Sequence, residues 1–246
     1  MKNGNFASKS SLNYVYGRLS SLNCLATSKV KCVYLQENFS DGKLLSEISK
    51  KGLKPIYKSL NELNRMTGNG NHQGIVVEIM PHEYSSLEDI IQSAKGKKQP
   101  LVLLLDEIED PQNFGAILRS ADAFGVDGVI IKNNNQVQLN WTVAKVSTGA
   151  IEYVKVAQVA NLSNAIKTLK DNGFWIYAAD GSGKENYQDQ NYTGAVALIV
   201  GSEGRGISPL VMKNSDFIIK IPMSGHVNSL NVSVSTGILL SRIRNK

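Results

Sequence analysis

Two kinds of apolar pattern divide the chain. From residue 101 the apolar runs are nearly continuous: LVLLLDEI (101–108), VDGVIIK (126–132), FWIYAAD (174–180), AVALIVGSE (195–203) and DFIIKIP (216–222). Runs with so little alternation predict strands of a parallel sheet buried on both faces. Between them FGAILRSADAFG (114–125) and NLSNAIKTLKDNG (161–173) carry helical spacing, and a final helix follows residue 231. The class is therefore α/β, with helices covering a parallel sheet. Upstream the elements are shorter. KVKCVYL (29–35) reads as a strand, DGKLLSEISKKG (41–52) as a helix, PIYKSLNELNRMTG (55–68) as strand then helix, and GIVVEIM (74–80) as a closing strand. This makes a small α/β unit over residues 1–80.

Pro81 follows that last strand, and LEDIIQSAKGKKQP (87–100) holds only a helical patch ending in Gly, Lys and Pro, so 81–99 is expected to be a linker. The larger domain is then 100–246. A total of 246 residues suits one small and one medium domain. With 42% hydrophobic and 20% charged residues, 6 Pro and 21 Gly, the chain is not disordered, collagen-like or coiled-coil. No apolar run approaches the roughly 18 residues of a membrane span. The opening MKNGNFASKS lacks a signal-peptide core, and a cytoplasmic protein is expected. Cys24 and Cys32 match no disulfide framework or zinc spacing, so no metal is expected. Charge changes the picture most. Residues 1–80 hold 11 Lys and Arg against 5 Asp and Glu, whereas 100–246 are balanced at 13 against 13. The whole net charge of +6 thus sits in the first third, where it suits a polyanion such as RNA or serves solubility.

In open parallel sheets ligands bind at the carboxyl ends of the strands, which selects three segments. After the 101–108 run comes DPQNFGAILRSADAFG, with a helix start at Asp110-Pro111, Asn113 placed to hold a ligand, and Gly115 allowing close packing. Arg119 lies within this otherwise apolar helix. It either pairs with Asp106 or Asp122 or leans into a cleft to hold a phosphate. ALIVGSEGRGIS (197–208) puts Gly201, Gly204 and Gly206 after a buried strand with Glu203 in their midst. It is neither GxGxxG nor GxxxxGK[ST], which argues against a dinucleotide or a nucleoside triphosphate. It also reads as a plain glycine turn. The third segment, IPMSGHVNSLNVSVSTGILLSRIR (221–244), studs an apolar run with Ser229, Asn231, Ser233 and Ser235, and such groups need backbone or ligand partners. His226 reads as a surface residue, and no GxSxG elbow supports a serine nucleophile.

Together DPQNFGAILRSADAFG, LIVGSEGRGIS and IPMSGHVNSLNVSVSTGI resemble the three signature motifs of the SpoU (TrmH) family of RNA ribose 2′-O-methyltransferases, in the SPOUT superfamily. VYGRLSSLN near residue 15 and HQGIVVEI (72–79) are similar to the amino-terminal substrate-binding domain of the 23S rRNA guanosine 2′-O-methyltransferases of that family. The resemblance spans essentially the full chain. It implies a trefoil-knotted methyltransferase domain, an L30e-like RNA-binding domain before it, S-adenosylmethionine as cofactor and a homodimer. By the same likeness Asn113, Arg119, Glu203, Ser229 and Asn231 carry the reaction, while Gly201, Ile221 and Leu230 contact S-adenosylmethionine.

A ribose hydroxyl is a poor nucleophile until it loses its proton, so such a site must acidify one oxygen and align it. The family proposal makes Arg119 the base, yet an arginine pKa above about 12 conflicts with that role. Stabilising the developing alkoxide is the alternative. The expected substrate is 23S rRNA. A transfer RNA ribose methyltransferase and a non-catalytic RNA-binding protein are the rival readings, and neither membrane nor DNA is an expected partner.

Overall fold

The computed structural model describes residues 14–27 and 29–245. They divide into one unit ending at His82 and a second beginning at Glu83. Lys2 and Lys9, which contribute to the expected basic patch, lie outside the described residues.

The first unit carries strands β1 (Tyr14–Tyr16), β2 (Val30–Gln36), β3 (Ile56–Lys58) and β4 (Ile75–Ile79) in the order β1-β4-β2-β3. Strand β4 runs antiparallel to β1 and β2, while β2 and β3 are parallel. Helices α1 (Arg18–Thr27), α2 (Gly42–Lys50) and α3 (Leu60–Thr67) complete it. The sequence places the starts of two of these helices directly. Asp41 caps α2 by accepting from the Leu44 amide, and Ser59 with Glu62 forms a reciprocal capping box on α3. Hydrogen bonds from Lys58 and Ser59 hold the Glu62 carboxyl down at a pKa of about 2. Helix α1 was not expected from the pattern. Its buried positions are Ser21, Cys24 and Leu25, too few apolar ones to show helical spacing.

In the second unit seven strands, all parallel, form one sheet in the order β7-β6-β5-β10-β8-β11-β9. These are β5 (Leu101–Asp106), β6 (Gly128–Lys132), β7 (Val156–Val159), β8 (Phe174–Ala179), β9 (Glu185–Asn186), β10 (Ala195–Gly201) and β11 (Phe217–Lys220). Burial of Leu101 through Leu105 and of Val196 through Val200 matches the continuous apolar runs. Helices α5 (Pro111–Ala123), α6 (Trp141–Val146) and α9 (Val232–Arg244) pack on one face. Helices α4 (Leu87–Ala94), α7 (Leu162–Asp171) and α8 (Pro209–Lys213) pack on the other. Gly115 lets α5 lie directly against Val143 and Val146 of α6. At the chain's end the Arg244 guanidinium donates to the carbonyls of Gln99, Phe124 and Gly125, which anchors α9.

The segment 81–99 differs from the expected linker. From Glu83 it belongs to the second unit, because α4 buries Ile90, Ile91 and Ala94 against Val102, Leu104 and Ile130 of the sheet. Its Ser86–Asp89 capping box makes it a defined helix rather than a tether. Strands β7 and β9 and helices α6 and α8 were also not expected. Each spans two to six residues, too short for a pattern to register.

Strand β10 lies between β5 and β8, although β6, β7, β8 and β9 intervene in sequence between it and β5. The order reverses there, and a crevice opens at the carboxyl ends. Gly201 pairs with Asp106, so the first two segments singled out in the sequence leave adjacent strands, while the third leaves β11, one strand beyond β8 on the same side of β10.

Candidate active site

Three side chains, one from each segment, meet at this edge. Asn113, in the first turn of α5, donates from Nδ2 to Glu203 Oε1 at 3.0 Å. Asn231, the N-cap of α9, donates from its own Nδ2 to the same Oε1 at 2.5 Å and to Asn113 Oδ1 at 2.9 Å. The Val232 amide approaches Glu203 Oε1 at 3.4 Å. Asn231 Oδ1 is occupied by the Ser233 hydroxyl and the amides of Ser233 and Val234. Every polar atom of the two amides but one N–H thus has a use within the network. Glu203 is anchored through a single oxygen. Among the described residues its Oε2 accepts no hydrogen bond, leaving a carboxylate oxygen turned to an incoming donor.

The glycine loop that carries Glu203 is held from beneath. Ser202 and Gly206 exchange backbone hydrogen bonds across it at 2.9 and 3.2 Å, and Asp106 Oδ2 accepts from the Ser208 amide at 2.8 Å. A Cβ on Gly201 would fall 2.2 Å from the Gly206 carbonyl, so only glycine lets the loop fold back this tightly. Asp106 is fully buried and pairs with Lys132 at 3.1 Å, which also reaches Glu107 at 2.8 Å. Burial works against the Lys132 ammonium, but its hydrogen bonds to Glu107 and Asp106 outweigh that and raise its pKa. Neither Asp106 nor Lys132 was a sequence candidate for a site role. The signal was an aspartate at the end of a five-residue apolar run, where a buried charge needs a cationic partner.

Beside the cluster lies a cleft of about 790 Å³, open to solvent and walled by Val200, Gly201, Ile219, Ile221, Leu230 and Leu239. Asp180, Asn228, Ser229 and Ser235 supply donors and acceptors along its mouth, and Glu203 reaches its rim. A cleft lined by both apolar walls and several polar side chains suits a ligand that is part apolar and part polar. Gly201, Ile221, Leu230 and Ser229 are therefore brought together with Glu203. Asp180, absent from the sequence candidates, lies after β8 and is held by Ser182. A second, acidic hollow also reaches Glu203 and is lined by Glu107, Glu109, Asp110 and Asn113 with Arg205.

Arg119 stands apart. It is exposed on α5, lines neither hollow, and among the described residues makes no ion pair. It does not pair with Asp106, whose partner is Lys132. His226 lies exposed in the loop after β11. Among the described residues no cluster of His, Cys, Asp and Glu fit to hold a metal occurs, and no helix is long and apolar enough to cross a membrane.

Residues 100–241 match the SpoU rRNA methylase family, and residues 14–85 match the RNA 2′-O ribose methyltransferase substrate-binding domain. The Bacillus subtilis protein YacO, assigned to the TrmH family of tRNA/rRNA methyltransferases, is 39% identical over 239 residues, covering 95% of this chain and 96% of its own. Among solved structures, an AdoMet-bound rRNA methyltransferase from Sinorhizobium meliloti superposes with a TM-score of 0.67 at 23% identity, covering 94% of this chain and 86% of that one. The SpoU methyltransferase AviRb from Streptomyces viridochromogenes, in complex with AdoMet, gives 0.68 at 21% identity, with 98% and 92% covered. These two likenesses concern the fold, whereas the family match and the Bacillus relative concern descent. The chain belongs to the SpoU rRNA methylase family.

Proposed function

We propose that this protein transfers a methyl group from S-adenosylmethionine to a ribose 2′-hydroxyl of RNA, with a guanosine of 23S rRNA as target. The observation that carries the reading is the convergence of Asn113, Glu203 and Asn231 on one carboxylate oxygen beside the apolar cleft. The cleft's apolar walls and polar mouth fit the cofactor, and Gly201, Ile221 and Leu230 would hold it. When bound, S-adenosylmethionine supplies an electrophilic methyl on a sulfonium. What remains for the chain is to position the hydroxyl and stabilise the alkoxide as its proton is lost.

Glu203 Oε2 is the group free to accept from that hydroxyl, while Asn113 and Asn231 fix the carboxylate's orientation. Ser229 at the cleft mouth is a further contact for substrate or cofactor. Arg119 stabilises the developing alkoxide or the adjacent phosphate rather than accepting the proton, since guanidinium stays charged at any working pH. The proton leaves to water or the phosphate. The substrate-binding match over 14–85 and the net positive charge of the first third support an RNA held by that unit.

A homodimer belongs to the same reading, as does the trefoil knot of the family. The insertion of β10 between β5 and β8 and the return of α9 against α5 are consistent with such a passage. Mapping ribose methylation across rRNA and tRNA from a strain lacking the protein tests the reading. Loss of one methylated guanosine in 23S rRNA is expected. Loss at a tRNA ribose would move the target, and no loss in either would remove the activity.

A further inference from the structure

The first unit holds an open cleft of its own where the loop 69–74 enters β4. Its lining contains five side-chain amides, one guanidinium and no carboxylate. We propose that this cleft reads the base of an unpaired RNA nucleotide, with Gln36, Asn69 and Asn71 meeting base edges and Arg18 the neighbouring phosphate. The proposal rests on the RNA methyltransferase reading and adds where, and in what form, the RNA is recognised.

Amides both donate and accept, which matches the mixed donors and acceptors of a base edge and not the acceptor-only phosphate. Among the described residues the side chains of Gln36, Asn69 and Asn71 have no hydrogen-bond partner, and Asn69 and Asn71 are exposed. A duplex withholds its Watson–Crick edges in pairing and its major-groove edges in a groove too deep and narrow to be read. The ring of Tyr16, 38% exposed, lies against Gly70 at the cleft's edge and offers a surface on which a base can stack.

The loop bearing these amides is built to hold one shape. Asn69 and Gln73 adopt φ of 63° and 51°, a conformation that costs non-glycine residues energy and persists only where the surroundings impose it. Buried His72 imposes it. Its Nδ1 accepts from the Gly74 amide at 3.1 Å, so its proton lies on Nε2, which donates to Asn64 Oδ1 at 3.1 Å. Gln73 Oε1 accepts from the Arg18 amide at 2.8 Å and ties the loop to the start of α1. A loop backbone fixed in advance leaves only the side chains to be ordered when a ligand arrives. The Arg18 guanidinium stacks over Phe39 and keeps only a loose pairing with Asp41 at 3.7 Å, so it remains available.

The test uses the full chain and fluorescence anisotropy with three labelled probes: a mixed-sequence single-stranded RNA of twelve nucleotides, the same backbone with abasic riboses, and the duplex. The wild type should prefer the base-bearing single strand to either control by at least tenfold. The Asn69→Ala/Asn71→Ala double variant, altered only at exposed positions, should lose that preference. Arg18→Ala should keep it while flattening the salt dependence by roughly 0.7 in log–log slope, one single-strand phosphate contact. Equal wild-type binding to the abasic strand, or an undiminished preference in the double variant, overturns the proposal. Methyl transfer is measured on the same preparations. Transfer to rRNA without base preference sinks the cleft alone, whereas base preference without transfer to any RNA sinks the enzymatic reading alone.

Discussion

Gly201 shows how much a single position can decide. A methyl group there would sit 2.2 Å from the Gly206 carbonyl, a backbone atom that cannot swing aside like a side chain. Gly201→Ala should therefore displace the loop carrying Glu203 and weaken S-adenosylmethionine binding at least tenfold by calorimetry, and overpacking should cost about 1–3 kcal/mol of stability. Unchanged affinity would remove Gly201 from the cofactor site. His72 makes a second test at this scale. Burial lowers its pKa, so the folded chain binds fewer protons there than the unfolded one between the depressed value and about 6.5. Its contribution is complete above about 6.5 and is lost as pH falls through that window. Hydrogen exchange of the 72–79 segment, corrected for intrinsic rates, should show less protection at pH 5.5 than at 7.5. In His72→Gln the dependence should shrink. The residue types in the glycine loop were legible in the sequence. The buried Asp106–Lys132 pair was not, since the two lie 26 positions apart and meet only because β5 and β6 are neighbours.

At the scale of elements, α9 joins folding and site chemistry in one residue. Asn231 caps the helix through Oδ1 and organises Glu203 and Asn113 through Nδ2. Asn231→Ala removes both functions and should cost about 1 kcal/mol of stability along with methyl transfer. Serine caps nearly as well as asparagine but lacks the amide donors. Asn231→Ser should thus recover most of the stability and little of the turnover. Thermal melting compared with single-turnover methylation separates the two, and full turnover in the serine variant would make Asn231 a cap only. Strands β5 and β10 were readable because their apolar runs are nearly unbroken, and α7 because its helical spacing repeats over ten residues. Helix α4 was misassigned for a physical reason. Leu87, Ile90, Ile91 and Ala94 do fall at helical spacing, but the charged KGKKQP that follows at once reads as a tether, and nothing local shows that this apolar face is covered by the sheet of the second unit.

For the whole molecule the open question is which cleft Arg119 serves. It lies six residues along α5 from Asn113, about 9 Å of helix rise, exposed and lining neither hollow of its own chain. An exposed guanidinium that lines neither hollow of its own chain leaves two arrangements to distinguish, action within the chain or on the acidic hollow of a second copy. Arg119→Ala alone should leave folding and cofactor affinity intact and reduce transfer on the order of a hundredfold, the scale of one lost electrostatic stabiliser. Arg119→Lys should rescue it poorly, because lysine lacks the planar fork. Mixing is the decisive arrangement. A heterodimer of Arg119→Ala with Glu203→Ala contains one chain with a complete cleft and another with a complete arginine. If the arginine acts between copies, one site in each heterodimer is whole. Random exchange makes half of all dimers mixed, so about a quarter of wild-type activity should return. If the arginine acts within its own chain, every site in the mixture lacks one group and activity should stay at the level of the separate variants. Recovery thus reports both the dimer and the direction in which Arg119 points, while near-normal turnover in Arg119→Ala by itself would return that residue to the surface.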